Sequence, residues 1–174
     1  MRHFEKLYDI TADNYGVITA AEAREAGIAG AELTRWTRSG RLERVGHGVY
    51  RLAHWVPTGK ERYAEALALV GPGSVLWGES VLALLGLAYV NPPRVLVAPD
   101  RRVRRDLPAW VGLADKPVSR MASYEGIACQ ELSEAIRACR GRVLTERLRQ
   151  AEREAWDERL IAREDHERLE EELA

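Results

Sequence analysis

The chain has 174 residues, of which 46% are hydrophobic, and its 26 Lys and Arg against 27 Asp and Glu give a formal net charge of −1. This composition is sufficient for a packed core in one domain or in two small ones. It contains no run of about 18 apolar residues and no secretory leader pattern, so we expect a cytoplasmic protein without a membrane partner. Cys129 and Cys139 lack the spacing and the neighbouring histidines of a zinc site, and we expect no metal, cofactor or disulfide framework.

Positive charge is concentrated in two short segments despite the near-neutral total. Five arginines lie between positions 35 and 51 against Glu43 alone, and a second cluster holds Arg101, Arg102, Arg104 and Arg105. Residues 141–174 hold seven arginines against eleven acidic residues. This asymmetry indicates that different parts of the chain meet different partners.

The first 56 residues have the element order of a winged helix-turn-helix. Phe4, Leu7 and Tyr8 recur at helical spacing, and Thr19 with Glu22 forms a capping box that begins a second helix. Residues 30–39 predict a third helix that ends at Gly40. The runs 42–45 and 49–52 then predict a hairpin connected by Gly-His-Gly. In this plan the third helix enters the major groove and the hairpin reaches the DNA backbone or a minor groove.

Packing and DNA contact are predicted to fall on different sides of the third helix. With Leu33 and Trp36 inward, Thr34 and Arg35 are the candidates for base contacts, because arginine pairs in a bidentate manner with guanine. The phosphate-contacting candidates are Arg38, Arg41, Arg44 and His47. The alternative is that these arginines form a solvated face of a protein-docking module.

The remaining chain is predicted to form a mixed α+β domain over residues 57–140 and a helical acidic tail over residues 141–174. Helices are expected at 62–70, 78–87 and 130–139, and strands at 94–98, 110–113 and 126–129. The fold class is therefore α+β. The tail has apolar stripes, and it packs either on the second domain or on a partner. Arg101, Arg102, Arg104 and Arg105 form a possible secondary basic surface, which adds phosphate contacts or meets a toxin or its RNA substrate; the alternative is a solvated loop.

Four blocks of the sequence, in this order, are similar to one family. They read GRLERVGHGVYRL, GPGSVLWGESVLALLGL, RVLVAPDRRVRRDLP and YEGIACQELSEAIRA. Over roughly residues 5–140 the chain resembles the AbiEi-type antitoxins, which are winged-helix transcriptional regulators. The resemblance implies a toxin–antitoxin or phage-defence pair, binding to double-stranded DNA of its own promoter, and action against a nucleotidyltransferase-like toxin. It places DNA contact on Thr34, Arg35, Arg38, Arg41, Arg44 and His47.

The enzyme classes considered lack the residues they need. Gly73-Ser74 resembles the start of a nucleotidyltransferase site, but a single acid, Glu79, follows instead of the paired carboxylates that hold metal ions. The lysines and histidines do not form a nuclease site or a nucleophile–base constellation. We therefore expect a non-enzymatic DNA-binding antitoxin. The alternative function is a protein-interaction module that binds a toxin through the winged helix and tail without binding DNA.

Overall fold

The structure, a computed structural model, describes residues 2–174. Backbone contacts divide the chain into two compact units. The first ends at Pro72, and the second begins at Gly73. The elements of the first unit are α1 (Arg2–Ala12), β1 (Val17–Thr19), α2 (Ala20–Glu25), α3 (Gly30–Arg38), β2 (Leu42–Gly46), β3 (Val49–Leu52) and α4 (Glu61–Val70). The predicted α+β fold, with a helix-turn-helix region first and a helical tail last, is confirmed.

A three-stranded antiparallel sheet closes the first unit. Its strand order is β1-β3-β2, so the hairpin of β2 and β3 is extended by a strand that precedes α2. The sequence analysis assigned no strand to Val17–Thr19, because three residues are too few for an alternating pattern. The strand exists because its backbone pairs with β3, with Val17 opposite Arg51 and Thr19 opposite Val49.

The core of this unit is built from the apolar sides of α1, α2 and α3 against the sheet. The first helix predicted from Phe4, Leu7 and Tyr8 is confirmed as α1; Leu7 is fully buried in it, whereas Tyr8 is 52% exposed. Successive helical residues point about 100° apart, and Leu7 occupies the inward direction. The buried set consists of Leu7, Ile18, Ala23, Ile28, Leu33, Trp36, Leu42 and Leu52.

Both predicted boundaries of the helix-turn-helix pair are confirmed. The Thr19 hydroxyl accepts a hydrogen bond from the Glu22 N–H at 3.1 Å, and Glu22 accepts one from the Thr19 N–H at 2.7 Å. Gly40, with φ of +72°, follows α3. The N–H of Arg41 donates to the carbonyl of Trp36 at 2.9 Å, and that of Gly40 donates to Thr37 at 3.1 Å. This Schellman motif fixes the direction in which the chain leaves α3 for the hairpin.

Helix α4 groups with the first unit, whereas the sequence analysis assigned residues from 57 onward to the middle segment. It packs on β1 and β3. Trp55, in the connection before α4, packs against the core of the unit, and its indole N–H donates to Glu61 at 3.2 Å. Burial raises the pKa of Glu61, but the hydrogen bonds that Thr58 and Trp55 donate to the carboxylate outweigh it and hold the pKa at about 2. The ionised carboxylate thereby anchors the start of α4.

The second unit contains a five-stranded mixed sheet. Its strands lie in the order β6 (Val111–Leu113), β5 (Val95–Ala98), β4 (Val75–Leu76), β8 (Ile127–Gln130) and β7 (Met121–Tyr124). The three predicted strands became β5, β6 and β8, while β7 was not predicted because its alternation is confined to four residues at a sheet edge. The elements are β4 (Val75–Leu76), α5 (Glu79–Leu84), a 3-10 turn (Leu87–Tyr89), β5 (Val95–Ala98), β6 (Val111–Leu113), β7 (Met121–Tyr124), β8 (Ile127–Gln130), α6 (Leu132–Ala138), α7 (Thr145–Asp157) and α8 (Arg163–Leu173).

The acidic tail is folded onto its own unit. Helix α7 packs on the 3-10 turn, on α6 and on α8, and α8 also packs on α6. The tail side chains that are buried there are Leu148, Ala151, Ala155, Ile161, Leu169 and Leu173. Leu144 differs from them, because it lies at the N-terminal cap of α7 and is 70% exposed. The apolar stripes of both tail helices are thus covered within the chain.

Candidate nucleic-acid interface

Helix α3 separates its core residues from its exposed polar residues as predicted. Leu33 and Trp36 retain 1% and 4% of their surface. Thr34, Arg35 and Arg38 are exposed along the opposite side. Trp36 is fixed further by an edge-to-face contact with Phe4 of α1, with ring centroids 5.1 Å apart. The buried residues therefore hold the helix while its polar side remains open to a ligand.

Arg35 is restrained without being neutralised. Its Nη2 lies 3.8 Å from Oε1 of Glu32, and its side chain is 70% exposed. Glu32 in turn accepts hydrogen bonds from the Ala29 N–H at 3.1 Å and from His3 Nδ1 at 2.9 Å. The Ala29 hydrogen bond is the largest influence that lowers the pKa of Glu32, and His3 and Arg35 add to it. Arg35 keeps enough free donors for the two acceptors on a guanine edge.

Thr34 uses its hydroxyl proton within the helix, since Oγ1 donates to the carbonyl of Gly30 at 3.1 Å. The same oxygen still accepts hydrogen bonds, and the methyl group is available for apolar contact. Thr34 is thus suited to a base amino group or a thymine methyl group. The side chain of Arg38, one turn further along, is exposed and makes no hydrogen bond or ion pair with any residue that the structure describes.

The remaining candidates lie on the turn after α3 and on the hairpin. Arg41 lies with its guanidinium carbon 4.8 Å from the centre of the Phe4 ring. Arg44 donates from Nε to the carbonyl of Gly46 at 3.2 Å, across an irregularity in the β2–β3 pairing. His47 is exposed in the turn, next to Gly48 with φ of +66°. All six predicted residues belong to the first unit. Within it, α3 packs on β2 and so lies next to the hairpin.

Arg51 belongs to the same stretch of sequence, but its position differs. Its guanidinium donates to Glu43 and to Glu65, each at 2.5 Å. The hydrogen bond to Glu43 is the largest influence that raises the pKa of Arg51, although partial burial opposes it. Arg51 is therefore a structural cation that joins the hairpin to α4, and the count of five arginines overstates the cations available to a ligand.

A shallow cleft of about 710 Å³ lies beside α3, between α1 and the turn that leads to the hairpin. Its lining residues are His3, Phe4, Glu32, Arg35, Trp36, Ser39 and Arg41. His3 was not among the predicted site residues, because it is 29 positions from its partner Glu32 and no local pattern indicates the pair. The cleft brings Arg35 and Arg41 to its rim.

The secondary basic surface lies in the second unit, on the segment between β5 and β6. Arg101, Arg102, Arg104 and Arg105 are all exposed there. Arg101 has one ion pair, with Asp100, at 3.7 Å. Among the described residues, no group of three or more His, Cys, Asp or Glu side chains is arranged to hold a metal ion. No described helix is long and apolar enough to cross a membrane.

A comparison with protein families matches part of the first unit. Residues 5–53 match the family described as transcriptional regulator, AbiEi antitoxin. This segment is therefore similar to that family. The matched range begins in α1 and ends just after β3, so it contains all six candidate DNA-contacting residues. No curated protein matches the chain.

The family match has consequences for the sequence predictions. Over residues 5–53 the predicted resemblance to AbiEi-type antitoxins is confirmed, and the matching family is described as one of transcriptional regulators and antitoxins. The match does not extend to the blocks between Gly71 and Ala138, for which the resemblance stays a prediction. The roles of the individual site residues also stay predictions, supported by their exposure and by their place on α3 and the hairpin.

Proposed function

We propose that this chain is a DNA-binding autoregulator and the antitoxin of a toxin–antitoxin or phage-defence pair. The first unit binds double-stranded DNA of the chain's own promoter, with α3 in the major groove and the β2–β3 hairpin on the adjacent backbone. The observation that carries this proposal is that Arg35, Arg38 and Arg44 are exposed and without a tight carboxylate partner, in a segment that matches a family of transcriptional regulators. The proposal contains no catalytic step.

The position of each side chain decides whether it contacts bases or phosphates. Arg35 and Thr34 lie in the middle of α3 and read base edges, because a recognition helix presents this part of its surface to the groove. Arg38, Arg41, Arg44 and His47 lie at the end of α3, on the turn and on the hairpin, where they contact phosphates. Phosphate contacts supply affinity and orientation but carry no sequence information.

The antitoxin activity is proposed to act against a nucleotidyltransferase-like toxin encoded beside this chain. Support comes from the family match, which is described as an antitoxin. Co-expression tests this part: the chain is expected to restore growth in cells that produce the neighbouring toxin. A toxin that remains equally harmful in the presence of folded antitoxin contradicts it.

The DNA-binding part is tested by gel shift with the chain's own upstream DNA. Arg35→Ala is expected to change the preference among operator variants, whereas Arg44→Ala is expected to weaken binding to all sequences by a similar factor. Arg51→Gln is the matched control, because Arg51 lies on the same hairpin but is bonded to Glu43 and Glu65. Folded wild-type protein that binds no DNA at low salt contradicts the proposal and favours a module that binds only protein.

A further inference from the structure

An acidic side chain lies within the surface of α3 that is proposed to read DNA. Helix α3 contains one acidic residue, Glu32, one turn before Arg35, and the sequence from Gly30 to Arg41 contains no other. A carboxylate close to DNA phosphates lowers affinity for every sequence, because like charges repel. A carboxylate at this position is therefore unfavourable for binding unless it improves the discrimination between sequences.

Contacts from α1, from Arg35 and from the start of α3 fix the carboxylate of Glu32. The Ala29 N–H donates to Oε2 at 3.1 Å. Nδ1 of His3, on α1, lies 2.9 Å from Oε1 and 3.0 Å from Oε2, and Nη2 of Arg35 lies 3.8 Å from Oε1. The Glu32 side chain is only 20% exposed. The hydrogen bond from Ala29 is the largest influence that lowers the pKa of Glu32, so the carboxylate is ionised at neutral pH.

The fixed carboxylate restricts Arg35 to one part of the helix surface. Glu32 lies closer to the N-terminus of α3, and the N-terminal residues of a recognition helix are those that contact base edges. The guanidinium carbon of Arg35 also lies 6.0 Å from the centre of the Trp36 ring, which is buried. Arg38, on the same helix, makes no such contact with any described residue. Arg35 is thus drawn toward the base-reading end of α3.

Restraint of this kind affects specificity more than affinity. A restrained arginine has lost part of its rotamer freedom before DNA arrives, so a correctly placed base contact costs less. The same restraint holds the guanidinium away from phosphate oxygens, which it would match in any sequence. The ion pair at 3.8 Å is weak enough to be exchanged for the acceptors of a guanine edge.

We propose that Glu32, held by His3, is a positioning residue that directs Arg35 toward base edges and away from phosphates. It acts through Arg35 and makes no contact with DNA itself. The inference rests on the proposed function, because that function assigns base reading to Arg35. It adds that discrimination between sequences depends on an acidic residue and on a histidine from another helix.

The test uses the full chain and two variants of equal charge change. Glu32→Gln removes the charge, and glutamine can still accept the hydrogen bond from the Ala29 N–H. Glu22→Gln is the matched control, because Glu22 bonds to Thr19 in the same way at the start of α2. Both are made in wild type and in Arg35→Gln. Fluorescence anisotropy measures binding to the upstream DNA and to an unrelated duplex of equal length at several salt concentrations, and circular dichroism checks folding.

In wild type, Glu32→Gln is expected to reduce the preference for upstream over unrelated DNA by about 5- to 10-fold, because Arg35 gains phosphate contacts on unrelated DNA. The slope of log affinity against log salt for the unrelated duplex should become steeper by about one, the value for one added phosphate contact. In Arg35→Gln, the same substitution should change the preference by less than about twofold, since its effect requires Arg35. Glu22→Gln should change it by less than about twofold in either background.

His3→Ala leaves α3 itself intact and replaces Glu32→Gln if that variant does not fold. It frees the carboxylate from α1, so the preference for upstream DNA is expected to fall by about two- to threefold. The effect should again require Arg35.

An unchanged preference in the folded variant overturns the inference. An equal loss in the Arg35→Gln background, or with Glu22→Gln, also overturns it, because the carboxylate would then not act through Arg35. The proposed function fails in a different way, since wild type would then bind upstream DNA no better than unrelated DNA, and the inference falls with it. A wild-type preference that is lost in Arg35→Gln but kept in Glu32→Gln refutes the inference alone.

Discussion

The arginines of α3 and the hairpin tip and those that contact the acidic tail are used in opposite ways. In the first unit, Arg35, Arg38 and Arg44 extend from α3 and the hairpin with few or weak intramolecular contacts. In the second unit, Arg120, which directly precedes β7, bonds to Asp165 of the acidic helix α8, and Arg137 of α6 bonds to Glu172 of the same helix. Free hydrogen-bond donors therefore distinguish the arginines that are available to a ligand from those that hold the fold together. A count of arginines or the net charge does not separate these two groups.

The excess of acidic residues in the tail balances the arginines elsewhere in the chain. Several acidic residues of the tail are bonded to cations within the second unit. Glu152 and Asp165 are 3% and 5% exposed, so they depend on His166 and Arg120 for compensation. A buried carboxylate without a partner is costly, which makes these pairs structural requirements.

The largest expected effect follows from removing the exposed cations of the first unit. The head variant, Arg35→Gln with Arg38→Gln and Arg44→Gln, should lose about 100-fold or more in affinity for the upstream DNA, since it lacks one base contact and two phosphate contacts. Its melting temperature should stay within about 3 °C of wild type, because exposed side chains contribute little to stability. Gel shift and thermal melting measure the two quantities. A strongly lowered melting temperature would show that these residues are structural.

The converse effect is expected in the second unit. Arg120→Gln with Arg137→Gln should lower the free energy of unfolding by about 2–4 kcal/mol, because Asp165 loses its bidentate partner while it stays buried. Affinity for DNA should change by less than about threefold at a concentration where the protein remains folded, since neither arginine is available to phosphate. Urea denaturation followed by circular dichroism checks the first value. Weakened DNA binding in a fully folded variant would contradict the purely structural role of Arg120 and Arg137.

A smaller effect sharpens the comparison within the hairpin itself. Arg51→Gln should cost about 1–2 kcal/mol of stability, because the largely buried Glu65 loses its cation. Its effect on DNA affinity should be below about threefold, whereas Arg44→Gln should weaken binding by about 5- to 10-fold with little change in stability. Parallel urea and anisotropy titrations of the two variants provide the measurement. Equal losses of affinity would show that Arg51 leaves its carboxylates to reach DNA.

The smallest expected effect is a change in acid sensitivity. The hydrogen bonds from Arg120 lower the pKa of Asp165 in the folded state below its ordinary value of 3.8. Its contribution is therefore complete above the unfolded pKa and is lost as the pH falls through the folded pKa. Asp165→Asn should be less stable than wild type by about 1 kcal/mol at pH 7, with the difference shrinking below about pH 4. Urea denaturation across this range tests it, with the exposed Glu167→Gln as a control that should show no such trend.

Local sequence signals predicted the part of the fold that positions the candidate interface. Thr19 and Glu22 identify a helix start because a capping box lies within four residues. Leu33 and Trp36 identify the buried side of α3 because one turn separates them. The glycines at 40 and 48 marked positions that adopt left-handed backbone. These features depend on neighbours in sequence, so they could be read without a structure.

Features that depend on distant partners could not be predicted in this way. Strand β1 exists through its pairing with β3, more than 30 positions away. The bond of Arg51 to Glu65 decides that this arginine is structural, yet the sequence shows only a cation in a basic stretch. The packing of the tail was likewise open, because an amphipathic helix covers its apolar side equally well on its own domain or on a partner.

The salt dependence of binding to the upstream DNA, measured side by side for wild type, the head variant and Arg51→Gln, tests the central claim most directly. Wild type and Arg51→Gln are expected to show nearly the same steep slope of log affinity against log salt, and the head variant a slope lower by about 2 to 3. Equal slopes for all three folded proteins, or no binding by wild type at low salt, would contradict the assignment of DNA binding to α3 and the hairpin.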